Sequence, residues 1–103
     1  MNLTVLYPQP KDAAQFDSDY AAHLRLLHEK MGLPPDARPY SVTKFLQGPE
    51  GPPPYYQMFR MPFETAEALE AALASEGMQE VAADAHRISS GGAPTILIGK
   101  ESA

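Results

Sequence analysis

Three histidines, five tyrosines and no cysteine set the range of chemistry open to this chain. Without thiols there is no disulfide, no thiolate nucleophile, no iron–sulfur cluster and no cysteine zinc site. His23 falls among Phe16, Tyr20, Leu24, Leu27 and Met31, whose spacings of 4, 4, 3 and 4 are those of an amphipathic helix stripe. At about 100° per residue, His23 lies about 60° from the centre of that stripe and looks inward. An imidazole there, beside Tyr20 one turn earlier, has a pKa near neutrality and suits general acid or base catalysis. The competing reading is a structural histidine at the edge of the core, bonded to a backbone carbonyl. His28 follows five residues later, about 140° round the helix, so the two cannot share a metal as an i, i+4 pair does. No metal site and no cofactor are expected.

Tyr7, Tyr40, Tyr55 and Tyr56 fall on expected strands, whose ends can converge under the helices. Phenols there would line a pocket and hold the oxygen of a small ligand, which makes Tyr7, Tyr20 and Tyr40 the candidates for substrate binding. The alternative for each is packing or a subunit contact, since strands favour aromatics anyway. Arg60, set among apolar residues, suits an anionic ligand or, better, an ion pair across a dimer. Asp84 and His86 are two apart on a helix and face away from each other, so they form no dyad. Glu64, Glu67, Glu70, Glu76 and Glu80 read as a solvated helix face. There is no Gly-x-Gly-x-x-Gly, P-loop or Gly-x-Ser-x-Gly, so nothing indicates nucleotide, phosphate or serine hydrolase chemistry.

The chain that must position these groups has 103 residues, 44% hydrophobic and 20% charged, with a net charge of -5. One domain over residues 1–103 is expected, large enough to bury a core without metal or disulfide. An acidic balance without a basic cluster argues against nucleic acid. No apolar run approaches the roughly 20 residues of a membrane helix. No signal peptide is visible in MNLTVLYPQPKD, so a cytoplasmic location is expected.

Residues 3 to 7 alternate as a short strand, ended by Pro8 and Pro10. Asp12 to Met31 is a helix stopped by Gly32, Pro34 and Pro35. Arg38 to Leu46 and Tyr55 to Met61 are aromatic and β-branched strands, joined by the turn QGPEGPPP, where helix and central strand are both excluded. FETAEALEAALAS forms a second helix; Ser75 caps a further helical piece that uses Met78, Val81, Ala82 and Ala85 and ends at Gly91 and Gly92. PTILIG closes the chain as a strand.

The order βαββαβ is that of the ferredoxin-like unit, an α+β fold with a four-stranded antiparallel sheet and helices on one face. Leu6 opposes Leu3 and Val5, Tyr56 and Met58 oppose Phe59 and Met61, and Leu97 opposes Ile96 and Ile98. A sheet wet on one face alternates more cleanly, so the far face calls for a cover. With no helix left to supply it, a second copy of the chain is the economical partner, and a homodimer is expected.

The stretches VLYPQPKDAAQFDSDY, HLRLLHEKMGL, ASEGMQEVAADA and GGAPTILIGKES together resemble the EthD family, named from ethyl tert-butyl ether degradation. The resemblance covers nearly the whole chain and implies a dimeric α+β barrel with the two sheets face to face. That family is often labelled oxidoreductase from its pathway context; its wider relatives include cofactor-free monooxygenases, cyclases, muconolactone isomerases and haem-binding enzymes. Phe16, Asp17 and Tyr20 match its first helix. Counting back from Gly32 and Leu33 places His23 on the family histidine, whereas counting forward from Phe16 places Leu24 there. Arg25 stands where proline is usual and Asp19 replaces a tyrosine.

Three functions compete on this reading. One is cofactor-free proton transfer on a small, largely apolar, oxygenated substrate, with His23 as acid or base and Tyr20 or Tyr7 orienting it. The second is a non-catalytic accessory protein that binds a metabolite or a partner in an oxidative or degradative pathway. The third is a haem-linked oxidoreductase.

Overall fold

The computed structural model describes residues 1–102; Ala103, the last residue of the expected 1–103 domain, lies outside the described residues. Strand β1 (Asn2–Pro8) leads into helix α1 (Ala13–Met31), strands β2 (Ser41–Lys44) and β3 (Tyr55–Pro62), helices α2 (Ala66–Ala74) and α3 (Glu76–Ile88), and strand β4 (Thr95–Gly99). The strands form one antiparallel sheet in the order β2-β3-β1-β4. This is the α+β, ferredoxin-like arrangement that the element order implied.

Local chemistry sets the element ends. The Asp12 carboxylate accepts from the Gln15 amide at the start of α1, and Gly32 ends that helix in the left-handed region at φ 67°, with its amide bonded back into the last turn. Thr65 caps α2, and Ser75 serves both as the last residue bonded back to α2 and as the cap of α3, where its hydroxyl accepts from the Met78 amide. The expected strand from Arg38 to Leu46 shortens to Ser41–Lys44. Tyr40 is thereby left on the preceding loop, where Arg38 bonds the carbonyls of Pro35 and Ala37.

Register fixes which side chains meet the helices. Leu3 pairs with Met61, Val5 with Phe59 and Tyr7 with Gln57, and on the other side Val5 pairs with Ile96 and Leu3 with Ile98. The members of these pairs on β1 and β3 are all buried beneath α1 and α3. The opposite face carries Leu6 against Met58, Thr4 against Arg60, and Leu97. α1 contributes Phe16, Tyr20, His23 and Leu27, and α3 contributes Met78, Val81, Ala85 and Ile88. The inward line of α1 thus runs through His23, while Leu24, expected on the apolar stripe, is only half-buried.

The edge strand β4 lies beyond full helix cover. Its Ile96, Leu97 and Ile98 are 44%, 48% and 54% exposed. Arg60, expected to pair across a dimer, instead meets Glu101 of its own chain, because Glu101 follows β4 back along the sheet. The Gln47–Pro54 connection is a turn closed by mutual backbone bonds between Gly48 and Gly51, and the Gln9 amide ties it down by donating to the carbonyls of Pro53 and Tyr55.

Candidate active site

Helices α1 and α3 cross the sheet side by side, and His23 and Asp84 meet between them. His23 is 5% exposed, and its Nδ1 lies 2.8 Å from Asp84 Oδ2. The other Asp84 oxygen accepts from Arg87 Nε at 2.8 Å, one turn along α3. Burial alone would raise the Asp84 carboxyl, but the bonds from His23 and Arg87 outweigh it and hold the group below its usual range. Asp84 is therefore an anion that can only accept, so the proton sits on His23 Nδ1 and the lone pair on Nε2. Burial also lowers the His23 pKa, against the pull of Asp84, which leaves the imidazole neutral at neutral pH.

His23 borders a cavity of about 60 Å³. Its floor is Leu3, Val5, Tyr7 and Phe59 from the sheet; Leu27 stands beside His23; Leu73 of α2 and Met78, Val81, Ala82 and Ala85 of α3 form the roof, with Ile96 at the rim. Apart from His23 and Tyr7 this lining is wholly apolar. Burial, and after it the charge of Asp84, pushes the Tyr7 phenol above its usual range, so it stays protonated and offers a donor. The Tyr20 ring stacks on Phe16 and lies 5.6 Å from Tyr7 and 5.5 Å from His23, centroid to centroid. Burial raises its phenol too.

His23 and Tyr7 thus line the cavity, and Tyr20 packs against both without lining it. Tyr40 does not line it either: its hydroxyl lies 2.6 Å from His28 Nε2 and its ring packs on Phe59, one ring removed from the cavity and near enough for its charge to act on Tyr20. His28 Nδ1 is bonded to the Pro34 carbonyl at 3.0 Å, so both nitrogens of that imidazole are spent on holding the loop after α1. Asp84, Arg87 and Gln57 join the site without having been expected there. In the sequence Asp84 stands beside the inward stripe of α3, which is its one signal, but its partner lies 61 residues away.

Among the described residues no three His, Asp or Glu side chains gather as metal ligands. A haem does not fit the cavity either: a porphyrin is many times larger, and seating one would part α3 from the sheet.

The model of the EthD domain matches residues 8–92. The chain belongs to the EthD family. An EthD family protein from Bacillus halodurans is similar over 98% of this chain and 97% of its own, at 29% identity and a TM-score of 0.82. A dimeric ferredoxin-like protein of unknown function from Jannaschia sp. shares 12% identity over 93% of this chain and 94% of its own, with a TM-score of 0.67. An Arabidopsis thaliana protein shares 17% over 100% and 97%, also at 0.67. The last two show the fold alone. No curated protein matches.

Proposed function

We propose that this EthD chain takes a small, largely apolar, oxygen-bearing metabolite into the His23 cavity and moves a proton on it without a cofactor. His23 is the acid and base, Tyr7 orients the substrate with Tyr20 packed behind it and His23, and Asp84 positions the imidazole. The carrying observation is the 2.8 Å contact between His23 Nδ1 and Asp84 Oδ2. It spends one ring nitrogen on the protein and leaves the other, with its lone pair, for whatever fills the cavity. A histidine serving only the structure would have both ring nitrogens bonded within the protein, as His28 does to the Pro34 carbonyl and the Tyr40 hydroxyl. The family name supports a setting in oxidative or degradative metabolism.

The working unit on this reading is a homodimer in the cytoplasm, with residues 1–103 as one domain. The far sheet face, with Leu6, Met58 and Leu97, and the exposed edge at Ile98 support a second copy as cover, as does the dimeric state of the Jannaschia relative.

The test is ligand capture. Mass spectrometry of gently purified protein should find a small neutral organic molecule that His23→Gln protein retains but does not transform. A ligand retained and never transformed by the wild type would mark a binding protein instead.

A further inference from the structure

Buried polar groups are nearly always hydrogen-bonded. In this molecule the unbonded ones gather in one place. Among the described residues, the fully buried side-chain polar atoms without a partner are the Tyr20 hydroxyl and Gln57 Nε2. Tyr20 is 5% exposed and Gln57 3%. Gln57 stands opposite Tyr7 in the β1–β3 register, and it is close enough to the Tyr20 hydroxyl to favour its ionised form against burial. The Tyr7 hydroxyl and His23 Nε2 make no hydrogen bond among the described residues either, and both residues border the cavity. Tyr7 and His23 thus present unbonded polar atoms to the cavity, while the Tyr20 hydroxyl and Gln57 Nε2, which do not line it, lie beside Tyr7 and near enough to each other to share a hydrogen bond.

Their kinds select a ligand. At the cavity wall the Tyr7 O–H is the donor, and His23 Nε2 is an acceptor that carries no proton. Among the described residues no cation faces the cavity: Arg87 is turned to Asp84, and its side chain is 60% exposed. A carboxylate or phosphate would lose its water among apolar walls with no cation to meet it, and the Asp84 charge that could draw an ammonium is already paired with His23 and Arg87. A neutral acceptor oxygen next to an acidic C–H satisfies both the donor and the base.

We propose that the substrate class is an uncharged, enolisable carbonyl compound, whose oxygen is held by the Tyr7 hydroxyl while its apolar part lies against Val81, Met78 and Ile96. This rests on the reading of His23 as the proton-transferring group. Nε2 takes a proton from the carbon beside the carbonyl, the C–H electron pair becomes the C=C bond of an enolate, and the carbonyl π pair moves to the oxygen, where the Tyr7 O–H stabilises it. The Nε2–H then returns the proton to the same carbon or, in an unsaturated carbonyl, to the far end of the conjugated system. Atoms and electrons balance, and no oxidant or co-reactant takes part. Nδ1 keeps its proton on Asp84 throughout.

The experiment compares cyclohexanone with methylcyclohexane and cyclohexanecarboxylate, rings of similar size, binding followed by methyl NMR of Val81 and Ile96. Cyclohexanone should bind about tenfold more tightly than methylcyclohexane, the worth of one to two neutral hydrogen bonds. Tyr7→Phe should erase that advantage while leaving methylcyclohexane binding unchanged, which also reports that the variant is folded; Tyr20→Phe, whose hydroxyl lies outside the cavity lining, should largely keep it. Wild-type protein should speed exchange of the cyclohexanone α-hydrogens in D₂O, and His23→Gln should slow that by about 10²–10⁴. If both neutral rings bind equally, or the carboxylate binds best, the carbonyl class is wrong while the cavity remains a ligand site. Tight ketone binding with exchange no faster than in buffer overturns the proton transfer. If nothing binds, the reading of the cavity falls with it.

Discussion

Replacing Asp84 by alanine isolates what holds the candidate base. The carboxylate spans α1 and α3, accepting from His23 on one oxygen and from Arg87 on the other. A hydrogen bond to a charged group is worth about 1.5–3 kcal/mol, whereas the exposed Arg87 contact adds only a few tenths. The loss should thus be about 2 kcal/mol, which for a domain of this size lowers Tm by about 8–16 °C. In a His23→Leu background the same change should cost little, because the partner is already gone. Urea unfolding of the wild type, the two single variants and the double variant completes the cycle. The His23 pKa, followed by NMR, should fall further in Asp84→Ala, since both the bond and the charge of Asp84 raise it. An equal cost in both backgrounds, or a His23 pKa that rises, would refute the pairing as the support of the imidazole.

Four other outcomes follow from the same geometry. His23 has a folded pKa below its unfolded 6.5, so its contribution is complete above that value and is lost as pH falls below it; pH-dependent urea midpoints should decline from there, and less so in His23→Leu. Tyr7 and Tyr20 are both raised from 10.0, so stability should fall steeply above pH 10, by up to about 1.4 kcal/mol per pH unit for each, a slope that Tyr20→Phe should roughly halve. Gly91→Ala would bring a Cβ to 1.8 Å from the Gln9 carbonyl oxygen, so the backbone must move, and calorimetry should register a loss of about 1–3 kcal/mol. Light scattering at micromolar concentration should give a dimer, whose interface is expected to bury on the order of 2,000 Å²; deleting two prolines from Pro52–Pro54 should leave it intact, and a monomer would leave Leu6, Met58 and Leu97 without a cover.

Periodicity was enough to reveal the helices and the inner strand faces, because burial under α1 and α3 imposes spacings of 4 and 7 on Phe16, Tyr20 and Leu27 and alternation on Leu3, Val5 and Tyr7. The same rule misplaced Leu24 and His23 relative to each other, since an imidazole can enter a core once a carboxylate receives its Nδ1 proton, and hydrophobicity carries no trace of that partner. Asp84 was beyond local reading for this reason: the pairing arises from the packing of two helices, not from spacing along either. Tyr40 failed differently. Its aromatic, β-favouring neighbourhood suggested a strand, but Arg38 and His28 fasten the loop and hold the phenol on His28, away from the cavity.

Long-range ¹⁵N NMR of the three imidazoles, recorded as cyclohexanone is added, asks most directly whether His23 faces the ligand. Free protein should show His23 as the neutral Nδ1–H form. The ketone should then shift His23 Nε2 and leave His28, fastened at both nitrogens, and His86 unmoved. A response at His28 with none at His23 would place the site in the outer groove beside Tyr40, and the assignment of His23 as the proton-transferring group would be wrong.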